Sequence, residues 1–209
     1  TRCSRDWSSD VCSSDLVLRA ARRYPDRIIP FCGVDPRSML AWGKPDEPGS
    51  FRKLLEIYRD LGCRGIGEVC GSIPVDDERY QMLYAAAGEF KMPLVFHFQR
   101  PGGHTYGATD VFHLPGLERM LAKFPETVFL GHSMAFWSEI SGDVTETESE
   151  GYLKGRYTKK GRLWELFAKY PNLGGDISAG SGALGISCDP EHGAEFLETF
   201  KHQLYFGTD

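Results

Sequence analysis

The chain has 209 residues and a formal net charge of -5, with 24 Lys and Arg against 29 Asp and Glu. This balance provides no basic field that would neutralise phosphates, which argues against a nucleic-acid partner. No stretch approaches the roughly 20 apolar residues of a membrane helix. The six cysteines include no C-x-x-C pair, which favours free thiols in a reducing compartment. Composition therefore predicts a soluble, cytoplasmic protein with one sizeable core.

The first sixteen residues, TRCSRDWSSDVCSSDL, differ in character from the rest of the chain. They are polar and have neither a helical nor a strand period, so composition predicts a disordered tail. Residues 6–16 also resemble the translation of a common sequencing adapter. We therefore interpret residues 1–16 as a non-native segment and residues 17–209 as the domain. On this interpretation the natural N-terminus is missing, and the chain also stops directly after a strand pattern, where a helix should follow.

From Val17 onward one unit recurs, in which an amphipathic helical stretch and a short break precede a brief apolar run. Three of the breaks are aromatic-proline pairs, which end a helix because the residue before proline avoids helical angles. The six predicted strands span residues 27–33, 64–69, 93–97, 127–132, 173–176 and 204–209. Short apolar strands that alternate with helices predict a parallel sheet that is buried on both faces.

The choice between an open sheet and a barrel depends on the strand ends. No G-x-G-x-x-G turn of the dinucleotide-binding type occurs, whereas several strands end on polar residues, as expected where the site is built beyond the carboxyl ends of barrel strands. A complete (β/α)8 barrel usually needs about 250 residues. The sequence therefore predicts an incomplete TIM-barrel-like α/β fold with about six of the eight strands present and the first two missing.

Four predicted strands end on a side chain that can bind metal or transfer a proton: Glu68, His97, His132 and Asp209. In a barrel these ends converge around one axis, where carboxylates and imidazoles suit a divalent ion such as zinc. Glu68 fits either metal contact or a structural ion pair with an arginine. Asp176 ends a fifth strand, and we expect it to cap the following turn. The remaining histidines, His104, His113, His192 and His202, are expected to be surface or packing residues.

Two further features stand outside this pattern. Asp76-Asp77 and Asp189-Pro190-Glu191 are typical of helix N-termini, where carboxylates cap the first turn.

The connection from Phe136 to Lys160 is longer than most loops, and such loops are usually either functional or disordered. We expect it to form a lid over the site or to contact a second subunit in a homo-oligomer.

The order G-x-G-E, L-V-F-H-F, F-L-G-H and Y-F-G-T-D is similar to the amidohydrolase-related, or amidohydrolase 2, family of the metal-dependent hydrolase superfamily. The resemblance covers residues 22–209 and implies that the six strands are the third to the eighth of the barrel. It also implies that a first-strand His-x-His pair, which the family uses to hold its metal, should precede Val17. No such pair occurs in this chain, so we expect the fragment itself to be inactive although its parent enzyme is active.

The resemblance implies a role for each strand-end residue. His97 matches a metal ligand, Asp209 a residue that binds metal and shuttles a proton, and His132 a residue that binds a second metal or activates water. Glu68 lies where some relatives carry a bridging ligand. The implied cofactor is a divalent ion, zinc or alternatively manganese, and the implied partner is a small-molecule substrate with an ester, lactone or amide bond. One alternative is a non-oxidative decarboxylase, in which Arg100 would bind the substrate carboxylate. A second alternative is a non-catalytic binding barrel.

Overall fold

The computed structural model describes residues 9–37, 44, 50–103 and 106–207, with side chains from Ser14 onward. Over these residues the chain alternates between helices and strands. The strands are β1 (Phe31–Cys32), β2 (Gly65–Val69), β3 (Leu94–Gln99), β4 (Ala108–Thr109), β5 (Phe129–His132), β6 (Leu173–Asp176) and β7 (Leu204–Tyr205). The helices are α1 (Ser9–Arg23), α2 (Phe51–Asp60), α3 (Glu78–Phe90), α4 (Pro115–Lys123), α5 (Met134–Trp137), α6 (Arg162–Lys169), α7 (Ala179–Ser187) and α8 (Pro190–Phe200).

Six of the strands form one parallel sheet in the order β1-β2-β3-β5-β6-β7, and the short strand β4 pairs with the end of β3 beside this path. Each strand of the path lies next to the one that precedes it in the chain, as it does in a βα barrel. The described residues thus build a curled, parallel half-barrel. The prediction of an incomplete TIM-barrel-like fold with six strands is confirmed.

Local sequence explains where the helices begin and end. Ser50 and Asp77 cap α2 and α3 through their side chains, and Asp189 accepts hydrogen bonds from two backbone N–H groups at the start of α8. The predicted caps at Asp77 and Asp189 are therefore confirmed. Phe124 and Tyr170, each followed by proline, end α4 and α6 with non-helical angles. These breaks turn the chain directly into β5 and β6.

A cluster of aromatic rings fixes β3 and β5 against the helices. The ring of Tyr84 lies 5.6 Å from that of Phe96 and 4.9 Å from that of Phe129, and all three side chains are fully buried or nearly so. Burying one such ring contributes on the order of 1.5–3 kcal/mol. Because strand side chains alternate between faces, a strand that points Phe96 and Phe98 at the helices points His97 at the opposite, inner face. The core therefore sets the direction of the histidine.

The structure departs from the sequence-based expectations in several places. Residues 9–16, which composition predicts to be disordered, form the first half of α1, and Gly33 N donates a 3.0 Å hydrogen bond to the buried Ser14 Oγ. Residues 1–8 lie outside the described residues, and the non-native origin of residues 1–16 stays a prediction. Helix α7 was not predicted because its sequence is rich in glycine. A Cβ atom on Gly185 would lie 3.1 Å from the Trp137 side chain, so this helix packs closely on Trp137.

The long connection after β5 is packed against the domain. It begins with α5, continues through short 3-10 helices at Ser138–Ile140 and Glu148–Glu150, and buries Trp137, Glu139 and Ile140. We call residues 138–161 the excursion. An antiparallel bridge between Ser141 and Lys160 closes its base. Over the described part of the chain, no helix has the length and apolar character needed to cross a membrane.

Candidate metal centre

Three strand-end side chains meet at the inner face of the half-barrel: Glu68 of β2, His97 of β3 and His132 of β5. The register pairs His97 directly with His132, and their ring centroids are 5.6 Å apart. Glu68 Oε1 lies 2.5 Å from His97 Nδ1 and 3.6 Å from His132 Nε2. One potential ligand atom from each residue lies within 4.8 Å of the others. The structure thus brings together three of the four residues predicted from the strand ends.

The chemistry of this cluster fits a divalent ion. A carboxylate and two imidazoles suit zinc or manganese, and the side chains are 31%, 12% and 5% exposed for Glu68, His97 and His132. The Glu68 carboxylate and the His97 imidazole lie within hydrogen-bond distance of each other, and both are groups that bind divalent ions in their deprotonated forms. The Nε2 atom of His97 is buried and has no hydrogen-bond partner among the described residues. The cluster is therefore a set of ligand atoms whose hydrogen bonding is incomplete without a further group.

Asp176, at the end of β6, contacts the Nδ1 side of the His132 ring, opposite the Nε2 atom that lies near Glu68. Its Oδ2 lies 3.1 Å from His132 Nδ1 and accepts a 2.6 Å hydrogen bond from Ser178 Oγ, while Oδ1 accepts a bond from Ser178 N. Burial alone would raise the pKa of Asp176, but the hydrogen bonds from His132 and Ser178 outweigh it and hold this pKa below its usual range. An ionised Asp176 can accept a hydrogen bond from His132 Nδ1, and Nε2 is then the ring nitrogen on the side of Glu68, 3.6 Å from Oε1.

The expected turn cap at Asp176 is present, because Asp176 accepts both hydrogen bonds of Ser178. Asp176 has a second partner, His132, which the sequence pattern did not predict. The available signal was the position of Asp176 at the end of the strand that follows the His132 strand. Parallel neighbours in a barrel bring their carboxyl ends to the same edge, so a carboxylate there lies within reach of the preceding strand-end histidine.

The backbone around the two histidines is tightly constrained. A Cβ atom on Gly107 would lie 2.4 Å from the carbonyl oxygen of His97 and 2.8 Å from its Cδ2, so only glycine fits beside this ring. Tyr106, half exposed, lies over the same ring at a centroid distance of 4.5 Å. Ser133 has a φ of 87°, which side-chain-bearing residues rarely adopt, and its Oγ bonds both the N–H and the carbonyl of Phe98. These contacts fix the positions of β3 and β5 at the candidate site.

The other predicted residues lie elsewhere. Arg100 is buried and forms an ion pair with Glu139, with Nη2 2.6 Å from Oε1, and its role in substrate binding stays a prediction. Asp209 and His104 lie outside the described residues, so their predicted roles stay predictions as well. His113 is exposed and its Nδ1 lies 3.2 Å from Glu139 Oε2.

No protein-family model matches the sequence, and a search of the curated proteins finds no match either. Solved structures do match. The 5-carboxyvanillate decarboxylase of Novosphingobium aromaticivorans, complexed with manganese and 4-hydroxy-3-methoxy-5-nitrobenzoic acid, is 16% identical with a TM-score of 0.55, over 96% of this chain and 59% of that one. The 2,6-dihydroxybenzoate decarboxylase from Rhizobium is 14% identical with a TM-score of 0.51, over 96% of this chain and 65% of that one.

A third solved structure has a different activity in its description. This Acinetobacter baumannii protein, assigned as a 2-pyrone-4,6-dicarboxylic acid hydrolase, is 13% identical with a TM-score of 0.50, over 94% of this chain and 62% of that one. At such identities the likeness concerns the fold. The chain shares the fold of these decarboxylases and of this hydrolase, and it spans about three fifths of their length.

Proposed function

We propose that this chain belongs to a metal-dependent barrel enzyme that removes a carboxyl group, without oxidation, from a small aromatic acid. The observation that carries the proposal is the convergence of Glu68, His97 and His132 within 4.8 Å at the inner face of the half-barrel. The sequence alone favoured hydrolysis and kept decarboxylation as the alternative. We now favour decarboxylation over hydrolysis because several of the solved structures that match this chain are decarboxylases of hydroxylated benzoic acids.

In this proposal Glu68 and His97 hold a divalent ion, manganese or zinc, with Asp209 as a further ligand. The bound ion would supply positive charge that polarises the oxygens of the substrate carboxylate. The residues of the chain carry out the proton transfer. Decarboxylation needs a proton at the ring carbon, after which the bond to the carboxyl group breaks and its electron pair returns to the ring as carbon dioxide leaves.

His132 is suited to move that proton. Its Nδ1–H is held by Asp176 at 3.1 Å, so Nε2 is the atom that takes up and delivers a proton on the side of the cluster. The ionised Asp176 stabilises the doubly protonated imidazole that forms between these two events. Asp209, which the sequence places at the end of the last strand, would serve as the second proton carrier.

Hydrolysis of a lactone or ester is the second candidate. The same His132–Asp176 pair would take a proton from water as it attacks a carbonyl carbon. The observation that favours this candidate is the fold shared with the assigned 2-pyrone-4,6-dicarboxylic acid hydrolase. In both candidates the substrate is a small carboxylated molecule, and the role of His132 Nε2 is a proton transfer.

The experiment uses the protein that the complete gene encodes, because the chain spans about three fifths of the matched structures. The purified protein, loaded with manganese or zinc, is assayed for carbon dioxide release from 2,6-dihydroxybenzoate and 5-carboxyvanillate, and separately for opening of 2-pyrone-4,6-dicarboxylate. Carbon dioxide release that is lost in His132→Asn and retained in the exposed control His113→Asn supports the proposal.

Lactone opening without carbon dioxide release would move the assignment to the second candidate. A protein that binds metal but turns over none of these substrates would overturn both and favour the binding barrel. Sequencing the gene upstream of the Val17 codon tests whether a His-x-His pair precedes Val17 and whether residues 1–16 are native. An in-frame strand that ends in His-x-His supports the metal enzyme and the non-native origin of residues 1–16, whereas natural coding of residues 1–16 without that pair argues against both.

A further inference from the structure

Arg100, three residues beyond His97, is buried with an unusually complete set of hydrogen bonds. Its Nε donates to Ser149 Oγ at 2.8 Å, Nη1 to the Val111 carbonyl at 3.1 Å, and Nη2 to the Ala135 carbonyl at 3.1 Å and to Glu139 Oε1 at 2.6 Å. These four bonds use four of the five N–H groups of a guanidinium. The side chains of Arg100 and Glu139 are only 6% and 1% exposed.

The partners of Arg100 lie on separate segments of the chain. Val111 belongs to the loop after β4, Ala135 to α5, and Glu139 and Ser149 to the two 3-10 helices of the excursion. Glu139 also accepts a 2.7 Å hydrogen bond from the backbone N–H of His113. Arg100 is therefore the point at which the excursion and the loop after β4 are fastened to the end of the β3 strand.

Among the described residues, the excursion also contacts the start and middle of α8, where Tyr157 N donates to Asp189 Oδ2 and Lys160 pairs with Glu195. Its base is closed by hydrogen bonds from Gly142 N to the Lys159 carbonyl and from Gly161 N to the Ile140 carbonyl. Ser138 Oγ bonds the Ser149 carbonyl within the excursion itself. In the described part of the chain, hydrogen bonds from Arg100 to Glu139 and Ser149 join this closed loop to the end of the strand that carries His97.

A cavity of about 150 Å³ lies where these segments meet. His97, Gln99 and Arg100 line it from the β3 strand, Met134 from α5, and Glu150 from the excursion. The cavity therefore has one wall from the sheet and one from the excursion. Arg100 also donates hydrogen bonds to the Ala135 carbonyl of α5 and to the Ser149 hydroxyl of the excursion.

The substrate-binding role suggested by the sequence competes with this geometry. Only one N–H of Arg100 remains for a substrate carboxylate, so bidentate binding would displace an existing partner, and loss of Glu139 would leave an uncompensated charge in the interior. We propose instead that Arg100 is a positioning residue, which with Glu139 holds the excursion as a fixed wall beside His97 and thereby sets the width of the adjoining cavity. The effect of Arg100 on substrate binding rests on the proposed function, whereas its effect on the position of the excursion does not.

The test measures hydrogen exchange of the full 209-residue chain, resolved to the segment 138–150, in the wild type, Arg100→Lys and Arg100→Met. We expect exchange in this segment to accelerate at least tenfold in Arg100→Met and less in Arg100→Lys, which keeps the charge but not the fork of donors. Exchange in β2 and β5 should change less than twofold. Arg119→Met, which removes an exposed arginine paired with Asp76, is the control and should leave the segment unchanged.

If Arg100→Met does not fold, the double variant Arg100→Met/Glu139→Leu removes both buried charges and makes the comparison possible. Unchanged exchange of residues 138–150 in a folded variant would overturn the proposal. In the complete gene product, Arg100→Lys should raise the KM of the substrate severalfold with little change in kcat. A wild-type protein that binds no metal and has no activity would refute the proposed function, yet the exchange result would still decide the role of Arg100.

Discussion

Replacing Asp176 by asparagine removes the charge behind His132 while it preserves the size of the side chain. The Nδ1 atom of His132 lies 3.1 Å from Asp176 Oδ2, and the side chain of Asp176 is 16% exposed. An amide can turn its NH₂ group towards Nδ1, and the histidine would then carry its proton on Nε2, the atom that faces Glu68. The variant therefore blocks the atom to which we assign the proton transfer.

Loss of an outer partner of this type lowers activity by about 10- to 100-fold, which corresponds to roughly 1.4–2.8 kcal/mol at 1.4 kcal/mol for each factor of ten. We expect kcat of the complete gene product to fall by this factor in Asp176→Asn. The manganese affinity should change less, because Glu68 and His97 are the proposed ligands. Steady-state kinetics and metal titration of the same preparation measure the two quantities.

Asp143→Asn is the matched control. Asp143 is a partly exposed carboxylate in the excursion whose pKa is lowered by hydrogen bonds from the backbone and side chain of Thr158, so the variant makes the same chemical change away from the histidines. Its kcat should equal that of the wild type. An Asp176→Asn enzyme with unchanged kcat, or an equal loss in both variants, would refute the reasoning about the His132 proton.

Three further outcomes follow from particular contacts. Gly107→Val places a side chain against the ring and carbonyl of His97; it should destabilise the fold by about 1–3 kcal/mol in urea unfolding and weaken metal binding. Asn172→Ala removes three hydrogen bonds to backbone carbonyls from a buried amide and should cost about 1–3 kcal/mol in the same assay. The pKa of Glu118 is lowered chiefly by the hydrogen bond from Lys169. The ionised Glu118 therefore stabilises the folded state above the ordinary glutamate pKa, and this stabilisation is lost as pH falls through the lowered pKa. The difference in unfolding free energy between wild type and Glu118→Gln should shrink below about pH 4.5.

The sequence predicted the sheet well because its signals are local. Each strand is an apolar run after a helical stripe, and aromatic-proline breaks mark where two of the helices end. The approach of His97 to His132 also follows from such signals, since both residues end neighbouring parallel strands and face away from the buried phenylalanines. The strand-end position of Glu68 places it at the same edge.

Other features depend on long-range contacts and could not be predicted. The burial of Arg100 requires Glu139, which lies 39 residues later in a segment without a hydrophobic period. Helix α7 forms despite the low helix propensity of its glycines, and its Gly185 packs closely against Trp137, 48 residues earlier in the chain. The two-residue strand β4 is too short to give a periodic pattern. In each case the partner lies far away in sequence, so no local pattern indicates the contact.

The most direct test of the central claim is a manganese and zinc titration of the complete gene product, with bound metal quantified by mass spectrometry after desalting. The proposed ligands from this chain are Glu68, His97 and Asp209, and two carboxylates with one imidazole suit manganese or zinc. The proposal predicts about one ion per folded chain, lost in His97→Ala and retained in the exposed control His113→Ala. A chain that is folded by circular dichroism but retains no metal, or that retains as much in His97→Ala as in the wild type, would contradict it.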